Sequence, residues 1–190
     1  MNAKKQTATQ HLFTNKQLRT LLVPIMVEQL LSSLMGTADT MMVSNVGSAA
    51  ISAVSLVDAI NILVIQALSA LAAGGAILCS QYLGSQNLKK AKRSAEQVLF
   101  VMLVLSCSLS LLCLIFRFPL LRLIFGTVDT DVMANSQIYF FFTLLSFPFI
   151  GLYDAGASIL RAQNNTKGPM TISILSNFLN IGGNAILIFV

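Results

Sequence analysis

Glu28, Asp39, Asp58 and Asp154 are carboxylates set inside long apolar runs of this sequence. At the centre of a bilayer an Asp costs about 2.5–3.5 kcal/mol on insertion scales, so such residues face the interior of a helix bundle and mark pathways or relays. Glu28, Ser32, Gly36 and Asp39 recur at i, i+4, i+8 and i+11, which puts them on one face of a helix with 3.6 residues per turn. Ser173, Asn177, Asn180 and Asn184 follow each other at spacings of 4, 3 and 4 and make a second stripe. The chemistry that such groups support is exchange of a proton or a small cation. Neutralising a buried carboxylate removes its desolvation cost and can switch the packing of the helix that carries it.

The amides have a plainer use as interhelical glue, worth about 0.6–2 kcal/mol each. Three amides on one face exceed what packing needs, and the companion stripe carries carboxylates. Ser55, Asp58 and Asn61 lie near one end of the second apolar run, followed by Gln66 and Ser69. Asp58 either approaches the membrane interface, where its cost falls, or faces the interior. In the fourth run Asp154, Ser158 and Arg161 share a face, with Asp154 about 10 Å from Arg161 along the axis. No apolar run holds a His, and the sequence lacks GxSxG, HExxH and a phosphate-binding glycine loop, so an enzyme is not expected. Cys79, Cys107 and Cys113 sit in apolar stretches without CxxC or Cys/His spacing and read as buried packing; His11 reads as a solvated residue, and no metal site is expected.

The elements that must position these residues are membrane-spanning helices. Apolar residues make up 55% of the chain and charged ones 10%, against about 25% charged in soluble domains. After a polar leader, 1–17, five apolar segments of spanning length return, at about 18–44, 49–83, 94–116, 132–161 and 169–190. The expected fold is therefore an all-α integral membrane protein with five transmembrane helices. Glu28 and Asp39 exclude a cleavable signal peptide for the first run. Gly47, Gly84 and Gly126 read as turn residues, and Pro169 fits the first turn of the fifth span. The third span carries no charge and reads as peripheral; Gly74 and Gly75 in the second allow close helix packing.

Lys4, Lys5, Lys16 and Arg19, then Lys89, Lys90, Lys92 and Arg93, then Arg161 and Lys167 fall on one side of the membrane, and only Arg117 and Arg122 on the other. Basic residues collect in the cytoplasm, so the N-terminus is expected inside. The same residues flank apolar segments without interleaved aromatics, which speaks against nucleic acid. The sequence stops in apolar Ile188-Phe189-Val190 with no polar flank, and a truncated domain is expected.

Several short motifs now combine: Pro24; Asp39-Thr40 before Val46-Gly47 and Ala49; Gly74-Gly75; Ser80-Gln81-Tyr82-Leu83-Gly84; Tyr139; Ile159 to Gln163; and Thr166 to Met170 leading to Asn177 and Asn180-Ile181. Their order and spacing from about Leu18 to Val190 resemble the N-terminal lobe of the multidrug and toxic compound extrusion (MATE) family of cation-coupled antiporters. The resemblance implies five helices of a six-helix lobe, in a twelve-helix transporter whose two lobes rock between inward- and outward-facing states. It also implies export of cationic or amphiphilic small molecules in exchange for Na⁺ or H⁺, with no other cofactor. The C-terminal half would be a missing partner, and the location a bacterial cytoplasmic (inner) membrane. Asp39 matches the family's first-helix carboxylate, and Asn180 and Asn184 match fifth-helix positions facing it. Glu28, Asp58, Asp154 and Asn177 are further polar candidates along the pathway. This sequence departs from the family where some branches carry Asp at the position of Asn184, and it carries Asp154 where Asn is common. A lipid-linked oligosaccharide flippase of the same superfamily would need Lys or Arg in its cavity, which these spans scarcely offer. A non-transporting scaffold is the third reading. Neither the substrate nor the choice of Na⁺ or H⁺ is written in these residues.

Overall fold

The computed structural model describes residues 15–44 and 47–189, except for the side chains of 185 and 187–189. Most of the leader, with His11, lies outside the described residues. Among these residues the chain is wholly helical: α1 (Asn15–Val43), α2 (Ser48–Gly84), α3 (Leu88–Ile115), α4 (Arg117–Phe125), α5 (Thr130–Ala162) and α6 (Lys167–Phe189). Four of them, α1, α2, α3 and α5, are long and apolar enough to cross a membrane. The fifth long helix, α6, carries the three asparagines, and part of its apolar end lies among the side chains not described. At 37 residues α2 is about 55 Å long, well beyond the ~30 Å of a hydrocarbon core, so it tilts or projects.

Among the described residues a sixth, short helix joins the five long ones that match the expected spans. The third connection is not a simple turn at Gly126 but contains α4, nine residues long. It is too short to span. Leu121 on α4 is fully buried in the core, which gives this segment a reason to fold, and Gly126 at φ 61° ends it. A second departure concerns α3, which starts at Leu88 and not near residue 94. Asn87 caps it by accepting the Lys90 N–H at 3.1 Å, and Lys89, Lys90, Lys92 and Arg93 are all helical. In the preceding turn Gly84 is still helical, and the left-handed conformation falls to Gln86 at φ 56°.

The connections 85–87 and 163–166 are short, so neighbouring helices run antiparallel and alternate between the end that carries Lys89 to Arg93 and Lys167, called the basic end, and its opposite. The core lies between α2, α3 and α5. Ala53, Val57, Asn61, Val64, Leu68, Ala72, Ala76 and Cys79 form the buried stripe of α2 at spacings of three and four residues, facing Phe140, Leu144, Phe147 and Ala155 of α5 and Met102 and Cys113 of α3. Two glycines set the approach of these helices. A Cβ on Gly75 would come within 2.5 Å of Val98, and one on Gly151 within 2.8 Å of Ser106. The outer face of α3 exposes Phe100, Val104, Leu111, Leu112 and Ile115, as suits a peripheral helix against lipid. Cys79 and Cys113 are buried as expected, whereas Cys107 is exposed.

Helices α1 and α6 pack on each other and meet the three-helix core along a thinner seam. On α1 only Pro24 and Glu28 are buried. Proline inside a helix cannot donate to the carbonyl four residues earlier. For Pro148 of α5 that carbonyl is Leu144 O, and Ser110 of α3 donates to it at 2.6 Å. For Pro24 it is Thr20 O, and Thr166, ahead of α6, donates to it at 3.3 Å. Both orphaned acceptors are answered by a hydroxyl from another part of the chain.

Candidate functional site

Three polar groups lie among the helices. Near the opposite end from the basic one, α1 and α6 bring Asp39 and Asn184 together. Asn184 Nδ2 donates to Asp39 Oδ1 at 2.7 Å and also to Asn180 Oδ1, one turn back, at 2.8 Å. The two stripes read from the sequence therefore meet at this point. Asp39 and Asn184 are half-buried and Asn180 is exposed in this chain. The group offers a carboxylate and two amide oxygens, hard donors suited to a proton or to Na⁺.

Asp58 of α2 stands close by, and its charge acts on Asp39. Tyr139 of α5 donates its hydroxyl to Asp58 Oδ1 at 3.0 Å, and Asn61 donates its amide to the same oxygen at 3.2 Å. Asp58 is half-buried and engaged between α2 and α5. Asn61 was not singled out as more than a neighbour in the sequence; its place in the buried stripe of α2, at a position otherwise apolar, was the available signal. Its Oδ1 is buried without a partner.

The third group lies nearer the basic end. Glu28 of α1, 6% exposed, accepts from Arg161 of α5 at 2.7 Å and from the hydroxyl of Tyr153 at 3.2 Å, both through Oε1. Asp154 accepts from Ser69 of α2 at 2.5 Å. Asp154 thus sits with Ser69 and the Glu28–Arg161 pair, apart from Asn184, and it is not brought to the Asp39 group. Glu28, although on the same stripe as Asp39, belongs to this lower cluster. Asn177 joins neither group, and its Nδ2 is buried without a partner. The pairing of Glu28 with Arg161 joins residues 133 apart in sequence; no spacing rule reaches that far. Among the described residues no cluster of three His, Cys, Asp or Glu side chains could hold a metal ion.

A helix pair carrying carboxylate and amide stripes, docked along a thin seam on an apolar three-helix core, is the architecture of a helical lobe of a multi-pass membrane protein. The chain matches the MatE family model over residues 24–186 and belongs to that family. It is 32% identical over 167 residues to the uncharacterized transporter YisQ of Bacillus subtilis, covering 87% of this chain and 36% of that protein. It is 28% identical to a FAD transporter of Shewanella oneidensis, over 80% of this chain and 33% of the other. To the probable multidrug resistance protein NorM of Thermotoga maritima it is 26% identical, over 92% of this chain and 37% of the other. A solved MOP superfamily transporter from Pyrococcus furiosus has the same fold, with a TM-score of 0.83 at 24% identity, over 90% of this chain and 37% of that one. The chain thus spans about a third of the length of the relatives it matches.

Proposed function

We propose that this chain is the first lobe of a cation-coupled antiporter that exports organic cations or drugs by alternating access, with Asp39 as its coupling carboxylate. The observation that carries this reading is the Asp39–Asn184–Asn180 chain of hydrogen bonds between α1 and α6. Ionised, Asp39 accepts the Asn184 amide and ties the two helices together. When it takes up a proton or Na⁺, the charge that strengthens this bond is neutralised and the helix pair is free to repack. Helices α1 and α6 rest on the core along a thin seam, so they can repack on each other without disturbing it. The basic residues that flank the spans support a bacterial cytoplasmic membrane location with the N-terminus inside. The relatives' names include both a FAD transporter and a multidrug resistance protein, so substrate class is the least constrained part of the proposal.

The test is Asp39→Asn in the complete transporter, reconstituted in vesicles, with efflux of a fluorescent organic cation driven by an imposed H⁺ or Na⁺ gradient. Coupling free energies run about 1–3 kcal/mol, so gradient-driven efflux should fall roughly 5–150-fold. Unchanged efflux and unchanged gradient dependence would sink the proposal. The flippase reading has less behind it in this lobe: Arg161, which lies between α5 and α1, is already engaged by Glu28.

A further inference from the structure

The cluster near the basic end carries a charge that its hydrogen bonds do not balance. Glu28 is almost fully buried and Asp154 half-buried, and the cation that acts on both is Arg161. The groups that face Asp154 are Glu28 from α1, Ser69 from α2, and Tyr153 and Arg161 from α5; among the described residues α3 and α6 add no charge to it. With both carboxylates ionised, the cluster holds two negative charges and one positive charge inside the spans. Burial in a medium of low dielectric penalises that surplus.

The geometry also leaves room for a proton. Arg161 engages Glu28 through one nitrogen and one oxygen, and Glu28 Oε2 and Arg161 Nε are buried with no partner. Ser69 lies 2.5 Å from Asp154 Oδ2, and a hydroxyl can donate to a carboxylate or accept from a carboxylic acid. Ser69 therefore suits both protonation states. We propose that Glu28, Asp154 and Arg161 form a second exchangeable proton site, distinct from Asp39, in which one proton neutralises the two carboxylates against a fixed guanidinium. The proton sits on Asp154, because Glu28 already has the guanidinium at 2.7 Å while Asp154 has only a hydroxyl. Uptake brings a proton from water at the basic end to Asp154. Release returns it there, with Ser69 then donating to the carboxylate. The use of this site as a step in transport rests on the antiporter reading; the proton itself does not.

The experiment is infrared difference spectroscopy of the complete protein in lipid vesicles, following the C=O band of protonated carboxyl groups as pH is varied. The wild-type protein should show such a band at neutral pH, and Asp154→Asn should lose it. Glu28→Gln should lose it too, although Asp154 is still present, because Asp154 then ionises against Arg161. Ser69→Ala, which changes no charge, should keep the band at a shifted frequency. Asp39→Asn should leave this band in place. A C=O spectrum left unchanged by Asp154→Asn, by Glu28→Gln or by Ser69→Ala overturns the proposal. Efflux that proves uncoupled from any cation while the band behaves as described fails the antiporter reading and leaves the proton site standing.

Discussion

Asn184 commits both of its amide hydrogens, one to Asp39 and one to Asn180, and so has no hydrogen left for another partner. A hydrogen bond to a charged group contributes about 1.5–3 kcal/mol, and partial exposure places this one at the low end. Asn184→Ala should therefore lower the thermal stability of the detergent-purified protein by about 1.5 kcal/mol, while Asn177→Ala, outside the group, should change it less. Equal losses in the two would argue that Asn184 does nothing special. Tyr139→Phe removes one of the two donors to Asp58 Oδ1. It should cost about 1.5 kcal/mol, the low end for a hydrogen bond to a charged group, since Asp58 is half-buried and keeps Asn61, and the same melting curves report it. At this scale helical spacing placed Asp39 on one stripe and Asn180 and Asn184 on another, and only the family resemblance implied that the two stripes face each other. Spacing did not separate Glu28 from Asp39, because it fixes the face of a side chain and not which neighbouring helix stands opposite each turn.

Each interior proline leaves a carbonyl that another part of the chain satisfies, and this makes a prediction at the level of elements. Ser110→Ala should cost about 1–3 kcal/mol in the native background because Leu144 O loses its donor. In a Pro148→Ala background the restored N–H of residue 148 satisfies Leu144 O within α5, so the same substitution should cost close to nothing. A double-mutant cycle by thermal unfolding measures the difference, and purely additive effects would refute the explanation. The turn before α3 offers a gain. Gln86 holds φ 56°, so Gln86→Gly should stabilise by up to about 1 kcal/mol, read from the same unfolding assay. Helix existence and approximate limits were legible because apolar runs of spanning length are a strong signal. The helix α4 and the early start of α3 were not. Both depend on events outside hydropathy: burial of Leu121 against the core, and the Asn87 cap.

For the whole molecule, the placement of charge sets the expected orientation. In a cysteine-free background, Gln86→Cys and Thr127→Cys put one thiol at each end of the bundle, both at exposed positions. A membrane-impermeant maleimide added to intact cells should label residue 127 and leave residue 86 unlabelled until the cells are opened; the reverse pattern would invert the proposed topology. The outer face of α3, with Phe100, Leu111 and Ile115, is ready for lipid, whereas Ser32, Gly36 and Asn180 leave a polar face exposed along α1 and α6. In a bilayer such a face needs water or protein against it.

Hydropathy and helical period together determined that this protein is a helical membrane protein and which faces of its first and last long helices are polar, while the order of its short motifs carried the family resemblance. These are local properties, written in consecutive residues. The meeting of Asp39 with Asn184, the inward turn of Asp58 towards Tyr139, and the division of the first stripe between two clusters were decided by tertiary structure alone. The partners lie 145, 81 and 133 positions apart. At such separations contact follows from how α1 and α6 lean on the core and from the close approach that Gly75 and Gly151 permit. The stripes Glu28 to Asp39 and Ser173 to Asn184 could be read from spacing, but where they touch was a question of packing.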